Sequence, residues 1–202
     1  QLKNKIIYYE SSRGCPFSCT YCLSSTIHGV RFFPLERVKK DLRFFLEAGV
    51  NQVKFVDRTF NAKRSHSLEI MRFIQENDNG HTNFHFEITA DLLDEETLNF
   101  LAQVRAGLFQ FEIGVQTTNP DSFKAIQRSA DFAKLKAVVE KLKSFRNIHL
   151  HLDLIAGLPY EDFSSFKKSF NDVYALKPDM LQLGFLKLLK GTSIRTEKAN
   201  HG

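Results

Sequence analysis

The feature that most constrains this chain is a recurring order of strand then helix. "KIIYYE" (5–10), "QVKFVD" (52–57), "NFHFEIT" (83–89), "LFQFEIGVQ" (108–116), "IHLHLDLIAGLP" (148–159) and "MLQLGFLKLL" (180–189) read as strands. They are rich in β-branched and aromatic residues and bounded by Gly, Pro, Asn and Asp. Amphipathic segments separate them. Leu35, Val38, Leu42, Phe45 and Leu46 fall on one helical face, and Leu68, Met71 and Ile74 on another. Phe163, Phe166, Phe170 and Val173 predict a third inward stripe. Asp94, Asn119-Pro120, Asp131 and Asp162 sit where caps belong. Each strand except the last is followed by a helix. Such alternation predicts a parallel sheet with helical crossovers. A closed eightfold barrel usually takes about 250 residues, and the chain has 202. The expected architecture is therefore an α/β, incomplete (βα)6 TIM-like barrel, one domain over residues 1–202, with a flat doubly wound sheet as the alternative.

Three of the strands alternate rather than running continuously apolar. Phe84, Phe86 and Ile88 oppose His85, Glu87 and Thr89. Phe109, Phe111, Ile113 and Val115 oppose Gln110, Glu112, Gly114 and Gln116. Leu150, Leu152 and Leu154 oppose His149, His151 and Asp153. Parallel strands covered by helices on both faces lack this alternation. The pattern predicts helices over the phenyl and leucyl face, and a lumen lined by the polar face. Buried acids need partners there, which a polar ligand supplies.

The chain's three cysteines all fall in "ESSRGCPFSCTYCLSS", as Cys15, Cys19 and Cys22, directly after the first strand. In barrel-type folds chemistry sits at the carboxyl ends of strands. A disulfide framework would spread its cysteines and pair them, so a reducing, cytoplasmic setting and metal binding are expected. A tetrahedral zinc completed by His28 is one occupant. The other is a four-iron four-sulfur cluster with one iron left open, which thiolates suit. Pro16 supplies a turn, and Phe17 and Tyr21 supply shielding. Net charge is +5 with the basic residues dispersed among acids, which reads as solvated helix faces and makes nucleic acid an unlikely partner. No run of 18 apolar residues is present, so no membrane span is expected. The start at Gln1 and the end after "TEKANHG" predict a piece of a longer protein.

The loop "CPFSCTYC" resembles the radical S-adenosylmethionine (radical SAM) superfamily. "FVDRTFN" (55–61), "FEITADLL" (86–93), "EIGVQTTN" (112–119), "AIQR" (125–128) and "DLIAGLPYED" (153–162) extend the resemblance. They are similar to the subgroup with coproporphyrinogen dehydrogenase, the methylthiotransferases and the elongator catalytic subunit. "FLKLLKGTSI" (185–194) looks closest to members with an upstream cobalamin-binding domain. The resemblance implies that Cys15, Cys19 and Cys22 hold three irons of the cluster and that the fourth iron chelates S-adenosylmethionine. One-electron reduction, by a donor such as flavodoxin or ferredoxin, would then give methionine and a 5′-deoxyadenosyl radical.

It further implies a cofactor-binding set of Tyr21, Val56, Asp57, Glu87, Gln116, Arg128, Asp153, Ile155 and Gly157. The backbone of Val56, Asp57 and Arg58 would hold the methionine amino group, and Arg128 its carboxylate. Glu87, Gln116 and Asp153 would serve the ribose. Ile155, Ala156, Gly157 and the chain near Leu186 would cradle the adenine. Arg58 departs from the glycines and acid usual at its position in the family. The leading expectation is radical methylation or rearrangement of an unknown substrate, with cobalamin supplied by a domain outside this chain. The alternatives are an RNA-modifying, methylthiotransferase-like enzyme and a non-catalytic zinc- or cluster-binding module.

Overall fold

The computed structural model describes residues 2, 5–27, 29–128 and 131–197. Its strands are β1 (Ile6–Tyr9), β2 (Ser12–Gly14), β3 (Val30–Phe32), β4 (Gln52–Phe55), β5 (Asn83–Ile88), β6 (Phe109–Gln116), β7 (His149–Ala156) and β8 (Met180–Phe185). Its helices are α1 (Leu35–Glu47), α2 (Arg64–Glu76), α3 (Glu95–Leu101), α4 (Pro120–Ala125), α5 (Phe132–Phe145), α6 (Phe163–Tyr174) and α7 (Ser193–Thr196). Six strands make one parallel sheet in the order β1-β4-β5-β6-β7-β8. Space order equals chain order, as in an incomplete barrel wound in one direction. β1 and β8 are its edges. The doubly wound alternative would require a reversal of order, and none is present in this sheet.

Helix caps are where the side-chain chemistry puts them. Asp94 accepts from the Thr97 amide, Asp131 from Ala133 and Lys134, Asp162 from Ser165, and Asn119 from Asp121 with Pro120 at the first helical position. Val38, Leu42 and Leu46 of α1 are buried, as are Leu68, Met71 and Ile74 of α2. Against them pack Phe55, Phe60, Phe84, Phe86, Phe109 and Phe111, all essentially without exposure. Phe60 and Phe86 stack with centroids 4.1 Å apart, and Phe55 and Phe60 meet edge-on at 5.2 Å. Full burial of each such ring contributes about 1.5–3 kcal/mol.

Three differences from the sequence reading are informative. Phe163 is 83% exposed. Helix α6 starts at the Asp162 cap on the rim of an open hollow, so its first turn has no core to face. The inward stripe begins only at Phe166. Second, β2 and β3 form an antiparallel ribbon apart from the main sheet, pairing Ser12 with Phe32, Arg13 with Arg31 and Gly14 with Val30. The ribbon closes the base of the cysteine loop. Three residues per strand are too few for periodicity to register. A short α7 also follows β8, where no helix was expected. No helix of the described residues is long and apolar enough to cross a membrane.

Candidate active site

The cysteine loop is tied down at three places. At its base Gly14 has φ +106°, and a Cβ there would collide with the Gly29 carbonyl oxygen, so only glycine lets the ribbon close. Beside the ribbon, Asp57 at the end of β4 accepts from the Ser11 amide (3.0 Å) and the Ser11 hydroxyl (2.9 Å), and also from the Ser12 hydroxyl. Asp57 is fully buried. Burial pushes its carboxyl up, and the serine hydrogen bonds oppose that. At the far end Thr20 donates its amide to the Ile126 carbonyl at 3.0 Å and accepts from the Ile194 amide at 3.2 Å. Held this way, Cys15, Cys19 and Cys22 are free thiols on one cavity.

The other wall of that cavity comes from the polar faces of β5, β6 and β7: Glu87, Glu112, Gly114, Gln116 and Asp153. Their convergence follows from register. Glu87 pairs across to Glu112, Glu112 to His151, and Gly114 to Asp153. A register shift at Gly114/Gln116 makes a bulge, and Gln116 takes φ +73°. Bulges re-aim side chains, and backbone strain of this kind concentrates at sites of function. A Cβ on Gly114 would collide with the Gln116 side-chain amide, so the glycine leaves room for it. Arg128 reaches in from the chain after α4. It donates to the Gly114 carbonyl at 2.5 Å and lies 4.0 Å from the Cys19 sulfur. Burial raises the Cys19 thiol pKa, and Arg128 opposes the rise. Burial also raises the phenol of Tyr21.

The carboxylates are separated by environment. The His85 imidazole at 3.0 Å, with the Lys54 ammonium at 3.4 Å, pulls Glu112 down to about 2. Burial, then the charges of Glu112 and Glu87, push Asp153 up to about 7. Burial and Glu112 raise Glu87 as well. Gln116 Oε1, Arg128 Nε and Asp153 Oδ1 are buried with no hydrogen-bond partner. Unsatisfied buried groups cost about 1–3 kcal/mol each unless something else completes them. Free thiols and unsatisfied polar atoms on one cavity fit a metal cluster together with a ligand rich in hydroxyl and carboxylate groups.

Of the residues singled out from sequence, Cys15, Cys19, Tyr21, Cys22, Arg58, Glu87, Gln116, Arg128 and Asp153 line this cavity. The side chains of Val56 and Asp57 do not. Val56 is 37% exposed and donates its amide to the Tyr9 carbonyl, and the Asp57 carboxylate is committed to Ser11 and Ser12. Ala156, Gly157 and Leu186 line a second hollow of about 950 Å³ between the end of β7 and the chain after β8. Ile155 packs beside Phe123, Ile126 and Leu158. His149 and His151 lie lower on β7 and do not line the cysteine cavity. His28 lies outside the described residues. Thr59 was missed: its hydroxyl lies 3.5 Å from the Cys15 sulfur. So was Asn61, which exchanges two 2.9 Å hydrogen bonds with the backbone of Thr89 and ties β4 to β5 above the cavity. A lone Thr or Asn in a loop carries no periodic signal.

Known proteins resemble this chain in sequence and in fold. The chain is 29% identical over 183 residues to the 2-(S-pantetheinyl)-carbapenam-3-carboxylate methyltransferase of Streptantibioticus cattleyicolor, covering 79% of this chain and 24% of that one. It is 27% identical to the cobalamin-dependent radical SAM methyltransferase TokK of Streptomyces tokunonensis, again with 79% and 24% covered. To the heme chaperone HemW of Buchnera aphidicola it is 28% identical, covering 86% and 48%. The chain thus spans about a quarter to a half of the length of these relatives. A solved structure of TsrM from Kitasatospora setae, a radical S-adenosylmethionine methyltransferase with cobalamin and a 4Fe-4S cluster bound, superposes with a TM-score of 0.85 at 17% identity, covering 98% of this chain and 40% of that one. The family model described as Radical SAM superfamily matches residues 9–173. With that match over most of its length, the chain belongs to the radical SAM superfamily.

Proposed function

We propose that this chain is the core domain of a radical SAM enzyme, part of a longer protein. It binds a four-iron four-sulfur cluster through Cys15, Cys19 and Cys22. The observation that carries this is the convergence of the three free thiols with Arg128, Glu87, Gln116 and Asp153 on a single cavity. When bound, such a cluster supplies the electron that cleaves the sulfonium of S-adenosylmethionine to methionine and a 5′-deoxyadenosyl radical.

The chain's own residues then have distinct tasks. Arg128 pairs with the methionine carboxylate through the guanidinium face not used by Gly114. The backbone around Val56–Arg58 takes the amino group, since the Asp57 carboxylate is occupied in holding the loop base. Glu87, Gln116 and Asp153 accept from the ribose hydroxyls. Ile155, Ala156, Gly157 and Leu186 border the adenine, with Gly157 (φ +86°) bending β7 towards the second hollow. Tyr21 and Phe17 shield the cluster from water.

Similarity to TokK, to the carbapenam methyltransferase and to TsrM supports a cobalamin-dependent methyl transfer, with cobalamin held outside this chain. Anaerobic reconstitution tests the core reading. About four irons per chain are expected, and 5′-deoxyadenosine on addition of reductant and S-adenosylmethionine. One zinc per chain with no deoxyadenosine overturns the reading. Cobalamin content of the full-length protein tests the finer one.

A further inference from the structure

We propose that Glu112, His151 and Asp153 form a second metal site, for a divalent transition cation such as Zn²⁺, in the floor of the lumen beneath the cysteine cavity. The inference does not depend on what the cysteines bind; Asp153 would ligate through Oδ1, near His151, and keep its other oxygen for the ribose proposed above. A ligand atom from each of the three residues lies within 4.8 Å of the other two. In a tetrahedral sphere with metal–ligand distances near 2.0–2.1 Å, ligand atoms stand about 3.3 Å apart. His151 Nε2 and Asp153 Oδ1 are 3.1 Å apart. Small side-chain rotations close the remainder.

Direction is more telling than distance. His151 is 94% buried (6% exposed), yet its Nε2 makes no hydrogen bond, and neither does Asp153 Oδ1. The two atoms are near each other without pointing at each other. Ligands of one ion stand this way, because both lone pairs aim at a third point. His85, equally buried, holds Nε2 3.0 Å from Glu112 Oε2, which places it as the outer-sphere support that ligating carboxylates normally have.

Charge points the same way. Glu87 faces Glu112 across β5 and β6, Asp153 adds its charge from β7, and Lys54, 3.4 Å from Glu112, and Arg58, whose charge acts on Glu87, oppose them. A divalent cation removes that repulsion. Two carboxylates and an imidazole are a donor set for zinc-like ions. Glu112 and Asp153 also line the cysteine cavity, whereas His151 lies below it, so the fourth coordination position opens upward into the lumen. Three protein ligands with one open position is the pattern of a reactive rather than a purely structural zinc.

The experiment uses the 202-residue chain in two forms, one with Cys15, Cys19 and Cys22 all changed to Ser, and one as wild type with its cysteine site loaded. The thiol-free form is titrated with Co²⁺. The expected result is one equivalent with ligand-field absorption and no sulfur-to-cobalt charge-transfer band. After Zn²⁺ and gel filtration, the wild-type form should retain one zinc beyond its cysteine-bound metal. His151→Ala and Glu112→Gln should each weaken this binding at least tenfold while leaving cysteine-bound metal unchanged. Lys54→Met should tighten it, because the competing ammonium is gone; in a plain salt-bridge cluster the same change lowers the melting temperature and recruits no metal. Absence of the extra metal from both forms overturns the proposal, as does full retention in His151→Ala and Glu112→Gln. If the thiol-free form does not fold, the wild-type measurement decides alone; His151→Gln replaces His151→Ala under the same condition.

Discussion

The two faces of β5, β6 and β7 share one backbone and one hydrogen-bond ladder, yet they obey opposite rules. On the outer face Phe84, Phe86, Phe109, Phe111, Leu150 and Leu152 are buried to about a percent of exposure or less, and each ring has other rings or aliphatic chains as neighbours. On the inner face His85 and His151 are buried with unsatisfied nitrogens, and Glu87 lies opposite Glu112. The outer face is finished by folding. The inner face is not, and like charges set side by side persist only where something else holds them there. Stability and chemistry are therefore separated by a single-residue step along the strand.

That contrast can be broken from either side. The largest effect belongs to the cavity: Cys19→Ala should abolish cluster binding and deoxyadenosine formation, while far-ultraviolet circular dichroism stays at the wild-type level. Loss of secondary structure would show that the loop and the outer face are not separable. Next, Phe86→Ala should lower unfolding free energy by about 3–5 kcal/mol, read by denaturant titration, without altering Arg128 or the thiols. A loss below 1 kcal/mol would mean that the aromatic stack carries little of the fold.

Asp153→Asn is expected to be smaller and of opposite sign. A carboxyl raised to about 7 in the folded chain holds its proton more tightly than in the unfolded chain, whose pKa is about 3.9. Stability should therefore fall as pH rises from about 4 to 7. In chelator-treated protein, Asp153→Asn should flatten that slope and raise the melting temperature at pH 8 relative to wild type. An unchanged pH profile would assign the slope elsewhere. Least of all, Phe163→Ser should change stability by no more than about 0.5 kcal/mol, because the ring is 83% exposed. A larger loss would place it in a contact within the chain.

Much of this division is legible in the residues themselves. The alternation of Phe and Leu with His, Glu and Asp marks both faces, because side-chain direction in a strand has period two. The spacing of Cys15, Cys19 and Cys22 marks the loop. What the sequence hides is long-range pairing. Asp57 reads as a site residue by its place after β4, but its carboxylate meets Ser11 and Ser12 some 45 positions earlier. Thr59 and Asn61 work through contacts to Cys15 and Thr89 that no local pattern encodes. Phe163 fails as a core residue because a helical stripe does not say where the sheet beneath it stops.

The antiparallel ribbon of β2 and β3 has a consequence for the life of the protein. It ties both ends of the cysteine loop to each other, and Asp57 ties the ribbon to the sheet. The sheet's own contacts need nothing from the thiols. The fold is thus expected to form ahead of cofactor loading, unlike in a zinc finger, where the metal creates the fold; equal far-ultraviolet circular dichroism before and after reconstitution would check this.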